Sequence, residues 1–186
     1  VFNLQSSDPE NWNVGGPPTW EIPVHGDSYV PLFENDRPQS ITVKPTVVRH
    51  PTDPRLLDPN EPNVMVLFGT GQLNTANDKS DKSEQTFYGI WDIGQVETGR
   101  ADLAEQRLLE PDNTRTTNPF LEVRYKPGAL RQYGWYIDLP ADTGERVVSD
   151  AVARGDMVFF NTVIPTEDPC EYGGTGWSMS VRIENG

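Results

Sequence analysis

Two histidines, one cysteine and 28 acidic residues are the side chains from which this chain could assemble a catalytic or metal centre. His25 and His50 belong to no H-E-x-x-H or other compact ligand pattern, so a zinc site is not expected. Acidic pairs occur at Asp27 with Glu34, Asp78 with Asp81, and Glu167 with Asp168. A glycosidase needs two carboxyl groups roughly 5–9 Å apart, which spacing along the sequence does not establish, and all three pairs read as solvated loop acids. Asn74, Asn77, Asp78, Ser80 and Asp81 gather side-chain oxygens in one loop, the kind of ligand set that Ca²⁺ takes. The order D-x-[DN]-x-[DN]-G is missing, however, and Gly89 stands at the twelfth position from Asp78, where an EF-hand loop carries a bidentate glutamate.

Cys170 lies among Asp168, Pro169 and Glu171, whose charges raise a thiol's pKa and suppress the thiolate. It has no partner for an internal disulfide, so a buried or externally paired cysteine is expected. The sequence holds no G-x-S-x-G elbow and no G-x-x-x-x-G-K-[ST] loop, and the Gly-Gly-Thr-Gly run at 173–176 lacks the lysine that phosphate binding needs. No residue is assigned as catalytic, cofactor-binding or metal-ligating, and no enzyme activity is expected.

The elements that would position any site are short. Seventeen prolines and 16 glycines punctuate the 186 residues and leave little room for long helices. An apolar fraction of 35% with five tryptophans is enough for a folded core, and the length suits one domain. Fifteen Lys and Arg against 28 Asp and Glu give a net charge of −13, which repels phosphate backbones and anionic lipid, so neither nucleic-acid binding nor membrane insertion is expected. No run approaches the roughly 20 apolar residues of a membrane span. The chain opens at Val1 without a charged-then-apolar signal segment, and removal of upstream residues by processing or trimming is expected.

Segments rich in β-branched and aromatic residues predict strands at 41–48, 64–68, 86–91, 121–125, 134–139, 146–152, 157–163 and 177–183. Residues 101–109 read as one short helix or an outer strand. Residues 6–38 read as extended chain pinned by Trp12, Trp20 and Phe33, while 74–84 and 111–118 read as exposed loops. Two stretches repeat: 44–49 with 64–70, and 149–154 with 156–162, aligned by setting Val47 on Val152. Repeated inner, second and third strands suit the blades of a propeller, each of which must stack on a neighbour to bury its faces. The fold class is thus all-β, a segment of a modified β-propeller with long loops, with a β-sandwich as the alternative. The division is 1–37 as an extended Pro/Gly-rich segment with an outer strand, and 38–186 as partial propeller blades.

Three phrases carry a family resemblance. They are Val-Leu-Phe-Gly-Thr-Gly at 66–71 with Gln-Thr-Phe-Tyr-Gly-Ile-Trp-Asp at 85–92; Gly-Trp-Tyr-Ile-Asp-Leu-Pro at 134–140 with Gly-Glu-Arg-Val-Val-Ser-Asp at 144–150; and Phe-Phe-Asn-Thr at 159–162 with Pro165, Asp-Pro-Cys at 168–170 and Gly-Gly-Thr-Gly-Trp at 173–177. In this order they resemble the signatures of the C-terminal propeller region of the PilC/PilY family, and Val1-Phe2-Asn3-Leu4 is similar to the end of a family outer strand. The resemblance implies a large secreted or cell-surface protein associated with type IV pili, acting in pilus biogenesis, opposition to retraction, surface adhesion and surface sensing. It implies minor pilins or the pilus tip, host or abiotic surfaces, and the remainder of the propeller or partner chains as partners. The calcium loop D-x-D-x-D-G of several members is absent here, so no cofactor is carried over to any residue.

Gly69, Gly71, Gly173, Gly174 and Gly176 suit sharp turns or close backbone approach. Trp91, Trp135 and Trp177 suit wedges between sheets, and Trp135 and Trp177 are expected in the core. The leading expectation is a non-catalytic binding and assembly module. Its rivals are a propeller enzyme, either a quinone-dependent dehydrogenase or a glycosidase, and a purely structural scaffold for an adhesive N-terminal region. A partial ring would also leave open sheet edges, so stabilisation by further protein is expected.

Overall fold

In a computed structural model, the residues described are 31–51, 62–94, 98–110, 114–118, 121–166 and 174–186, together with the backbone of four two-residue strands nearer the N-terminus. These four pair antiparallel: β1 (Asn3–Leu4) with β2 (Trp20–Glu21), and β3 (Val24–His25) with β4 (Ser28–Tyr29). β5 (Phe33–Glu34) follows, then the three strands of a meander, β6 (Thr46–Arg49), β7 (Val64–Gly69) and β8 (Thr86–Asp92). β9 (Thr98–Gly99) runs parallel to β5. Next come β10 (Ala104–Glu105), the pair β11 (Leu108–Leu109) and β12 (Thr116–Thr117), and β13 (Gly134–Asp138). β14 (Val152–Arg154), β15 (Met157–Asn161) and β16 (Ser178–Arg182) complete the chain.

Two sheets dominate. The first has the order β10-β13-β8-β7-β6, antiparallel except for the short β10–β13 pairing, and the second is the antiparallel meander β14-β15-β16. All seven residues of β8 are buried, as a strand covered on both faces requires, and its sequence is accordingly a nearly continuous apolar run. β15 instead alternates. Val158 and Phe160 are buried, whereas Phe159 remains 44% exposed. Phe87 of β8 stacks on Phe160 of β15 with ring centroids 3.8 Å apart and planes 9° from parallel, which joins the two sheets. Trp135 is fully buried beside Phe87 and donates its indole N–H to the Ile183 carbonyl at 2.9 Å.

Close strand approach explains two of the glycines. A Cβ at Gly89 would lie 2.6 Å from the Trp135 ring, and one at Gly69 would overlap Val147. Any side chain there would push apart the strands that bury the largest residues.

The repeat survives as matching meanders. Leu67 pairs with Thr46 in the first, and Phe159, which aligns with Leu67, pairs with Val152 in the second. Thr46 rather than Val47 therefore corresponds to Val152, a one-residue correction. The cause is the tight turn between Arg154 and Met157, where Gly155 sits at φ 62°, in place of the long connection from Arg49 to Val64. β6 also meets the residue that leads into β14, through a hydrogen bond of 2.7 Å from Thr46 Oγ1 to the Ala151 carbonyl.

Other expectations are corrected. Residues 121–125 form no strand: the Tyr125 N–H folds back on the Val123 carbonyl, and the Arg124 N–H is taken by the Gln132 side chain. At 146–152 only an Arg146–Val163 bridge and Val152 are sheet-like, because this stretch crosses between the sheets, with the Val147 N–H bonded to the Thr70 carbonyl. Residues 101–109 give the outer-strand alternative, as a 3-10 turn at Arg100–Asp102 followed by β10 and β11. Loop 111–118 contains β12.

Candidate functional site

The oxygen-rich loop is built around Asp78 and Asp81. Asp78 is buried in the 3-10 turn Ala76–Lys79, where its carboxylate accepts the N–H groups of Asn74 and Thr75, each at 2.7 Å, and the Gln72 amide at 2.9 Å. The Thr75 N–H above all holds its pKa below the usual carboxylate range. Asp81 is likewise lowered, chiefly by the Ser83 N–H at 2.8 Å, with the Ser83 hydroxyl at 3.0 Å on its second oxygen. Both carboxylates spend their lone pairs on donors of their own loop, which organises the turn and leaves the two acids aimed at different partners.

Arg146 fixes that loop from below. The side chain is fully buried and each of its three nitrogens donates to a carbonyl: Nε to Gly144 at 2.8 Å, Nη1 to Gln72 at 2.8 Å, and Nη2 to Asp81. Arg115 makes a second bracket. Its Nη1 binds the fully buried Glu145, its Nε binds Glu110 at 2.6 Å, and its guanidinium lies 4.3 Å over the Trp177 ring. A third set of contacts joins Arg100 to Asp138 and to the Tyr88 hydroxyl at 3.0 Å, with the cation 3.6 Å over Tyr136. Burial raises the Tyr88 pKa, so the phenol stays neutral and serves as donor and acceptor.

His50 is an aromatic core residue. It stacks on Trp91 at 4.7 Å and meets the edge of Tyr125 at 4.3 Å, and loss of solvation lowers its pKa to about 4. Glu34 is exposed on β5. The His25 side chain, Asp27, Glu167, Asp168 and Cys170 lie outside the described residues, as do Trp12 and Gly173. Phe33 does anchor its segment, packing 4.9 Å from Tyr88. Trp177 is only partly buried, which corrects the expectation of a core position: it packs against the edge of the core, with the Arg115 guanidinium over its ring. Among the described residues no group of three or more His, Cys, Asp or Glu converges on a metal position.

Two surface depressions accompany these brackets. One of about 860 Å³ is lined by Leu108, Leu109 and Pro140 among others, and its four acids Glu84, Glu105, Glu110 and Asp138 are paired with Arg37, Arg107, Arg115 and Arg100. The other, about 510 Å³, runs between β16 and residues 114–118. The buried ion pairs were not legible in the sequence. The phrase Gly-Glu-Arg at 144–146 was visible as a family signature, but nothing in it distinguishes buried charges from exposed ones.

Fold and site together define an all-β, propeller-like module whose charged residues clamp loops to sheets. No family model matches the sequence. A type IV pilus biogenesis factor PilY1 homologue of Xylella fastidiosa is 31% identical over 193 residues, a match that spans 100% of this chain and 12% of that protein. PilY1 of Pseudomonas aeruginosa is 33% identical over 166 residues, 77% of this chain and 14% of that protein. The crystal structure of the Pseudomonas aeruginosa PilY1 C-terminal domain superposes with a TM-score of 0.61 at 30% identity, covering 80% of this chain and 32% of that one. The chain belongs to the PilC/PilY family and corresponds to part of its propeller-like C-terminal region. It spans only a small fraction of the length of the relatives it matches.

Proposed function

We propose that the chain is a non-catalytic module of a type IV pilus biogenesis factor, acting outside the cell in pilus assembly and surface attachment through contacts with minor pilins or the pilus tip, and with host or abiotic surfaces. The observation that carries this reading is similarity along the whole chain to a protein named as a pilus biogenesis factor. The site supports it: Arg146, Arg115, Arg100, Asp78 and Asp81 are each engaged with neighbouring protein groups that hold loops in place. We assign residues 1–37 to a lead-in segment with an outer strand and 38–186 to partial propeller blades. No helix of the described residues is long and apolar enough to cross a membrane.

The test is a chimera in which these residues replace the matching stretch of Pseudomonas aeruginosa PilY1 in a strain lacking its own copy. Restored surface pili support the assignment. A chimera that is stably produced yet leaves the cells without pili contradicts it.

A further inference from the structure

Residues 121–133 lead into β13 without joining a sheet, and both ends are pinned to residues flanking β10. The Gln106 amide donates to the Leu121 carbonyl at 3.1 Å, and the Tyr133 N–H donates to the Asp102 carbonyl at 2.9 Å. Between these stems the main-chain hydrogen bonds among the described residues stay inside the segment: the Gln132 N–H to the Arg124 carbonyl at 2.8 Å, the Arg131 N–H to the Gly128 carbonyl at 3.1 Å, and the Tyr125 N–H to the Val123 carbonyl at 3.2 Å. The Arg124 side chain closes the same turn, Nε donating to the Leu130 carbonyl at 3.1 Å. A segment that satisfies itself between two neighbouring stems is an Ω-like flap, able to move as a unit at little cost in backbone bonds.

Side chains dock it. Tyr125, the buried residue of 122–132, sets its ring 4.3 Å from His50 and 5.0 Å from Trp91, and its hydroxyl donates to the Glu184 carbonyl beyond β16. Arg131 holds its guanidinium 4.9 Å over Trp91, with Nε and Nη2 buried and without a hydrogen-bond partner among the described residues. His50 is the floor of this dock, 1% exposed and stacked on Trp91 at 4.7 Å.

Imidazole changes charge between about pH 5 and 8 when it is solvated. The charged and titratable groups on the elements around His50 are Arg49 on β6, Asp92 on β8, Tyr125 and Arg131 on the flap, and Glu184 after β16. Arg49 is exposed, the Asp92 carboxylate accepts the Gly94 N–H at 2.9 Å, and burial keeps the Tyr125 phenol neutral. Protonation would therefore place an imidazolium in a buried aromatic site whose indole already carries a guanidinium. The added charge is solvated once Tyr125 lifts and water enters.

We propose that residues 122–132 form an acid-released flap: neutral His50 keeps it closed over Trp91, and protonation of His50 opens it while the two sheets stay folded. The device lies in contacts within this chain and is independent of the pilus assignment.

The experiment is hydrogen exchange of the indole N–H groups, followed by NMR on the 186-residue chain at pH 7.5 and pH 5, with each rate referred to free tryptophan at the same pH. Trp91 donates to the Asn63 side chain at 2.8 Å beside the flap, and Trp135 donates to the Ile183 carbonyl in the core. The His50 pKa is lowered from 6.5 to about 4 in the closed form, so opening should be roughly 30-fold more favourable at pH 5, and protection of Trp91 should fall by that factor. At pH 5 Trp91 should also be less protected than Trp135 and insensitive to low urea, since lifting a flap uncovers little surface compared with unfolding. His50→Phe keeps an aromatic ring but cannot take the proton, and its Trp91 should be equally protected at both pH values. Equal protection of Trp91 and Trp135 at pH 5, with equal losses in urea, overturns the proposal, because Trp91 then exchanges only through global unfolding; this comparison needs no variant. Unchanged protection of Trp91 in the wild type, or the same fall in a folded His50→Phe variant, overturns it as well.

Discussion

The two sheets are built from the same meander and differ in what surrounds them. β7, the counterpart of β15, has no exposed residue between β6 and β8, whereas β15, between β14 and β16, presents Phe159 and Asn161 to solvent. Sequence similarity between the meanders therefore does not confer equal burial. What differs is the number of layers packed against each sheet, and a propeller-like unit is stable to the extent that its neighbours are present.

The largest effects are expected where the sheets meet. Trp135→Ala should cost about 3–5 kcal/mol, because a fully buried ring and its bond to Ile183 are lost together. Trp177→Ala should cost markedly less, about 1–2 kcal/mol, since its ring is partly exposed and its main partner is Arg115. Equal losses in chemical denaturation would break the distinction between the two rings.

Arg146→Met tests the loop clamp. The substitution keeps the apolar stem and leaves the Gly144, Gln72 and Asp81 carbonyls without their donors, a loss of about 3 kcal/mol. A loss below about 1 kcal/mol would show that water replaces the guanidinium and that the clamp is dispensable.

Adjacent residues of β15 sharpen the comparison within one strand. Phe160→Ala should destabilise by about 3–5 kcal/mol, as its ring is 2% exposed and stacked on Phe87. Phe159→Ser, at a side chain 44% exposed, should stay within about 1 kcal/mol. A large effect at Phe159 would reveal that another layer covers the outer face in solution.

A pH dependence is expected on the first sheet's side, from His50. The His50 pKa is lowered by burial from 6.5 to about 4, so the fold favours the neutral ring. Its contribution is fully present above pH 6.5 and is lost as pH falls from there toward 4, amounting to at most about 3 kcal/mol. A His50→Phe variant should flatten that part of the stability profile while carboxylate protonation below pH 4 persists. An unchanged slope between pH 6.5 and 4 would contradict the buried, neutral assignment.

Much of this architecture was legible because central strands must be apolar on one or both faces. The runs at 64–68, 86–91, 134–139, 157–163 and 177–183 became β7, β8, β13, β15 and β16 with small boundary shifts. The expectation failed where apolar residues serve anchoring instead of pairing. Tyr125 is buried against Trp91 and His50 while its backbone turns, and Val147 is buried across the end of the first sheet. Two-residue strands such as β9 and β10 carry too little pattern to be seen. The site was least legible, since Arg146, Arg115 and Glu145 resemble ordinary surface charges until the fold brings carbonyls, an opposite charge and an indole ring around them.

Hydrogen exchange measured residue by residue tests most directly whether one sheet is enclosed and the other open. Slow exchange is expected throughout β7, β8 and β13 and at Met179 and Val181, with fast exchange at Ser178 and Ser180 in the isolated chain. Protection of Ser178 and Ser180 equal to that of β8 would show that both sheets are equally enclosed and would contradict it.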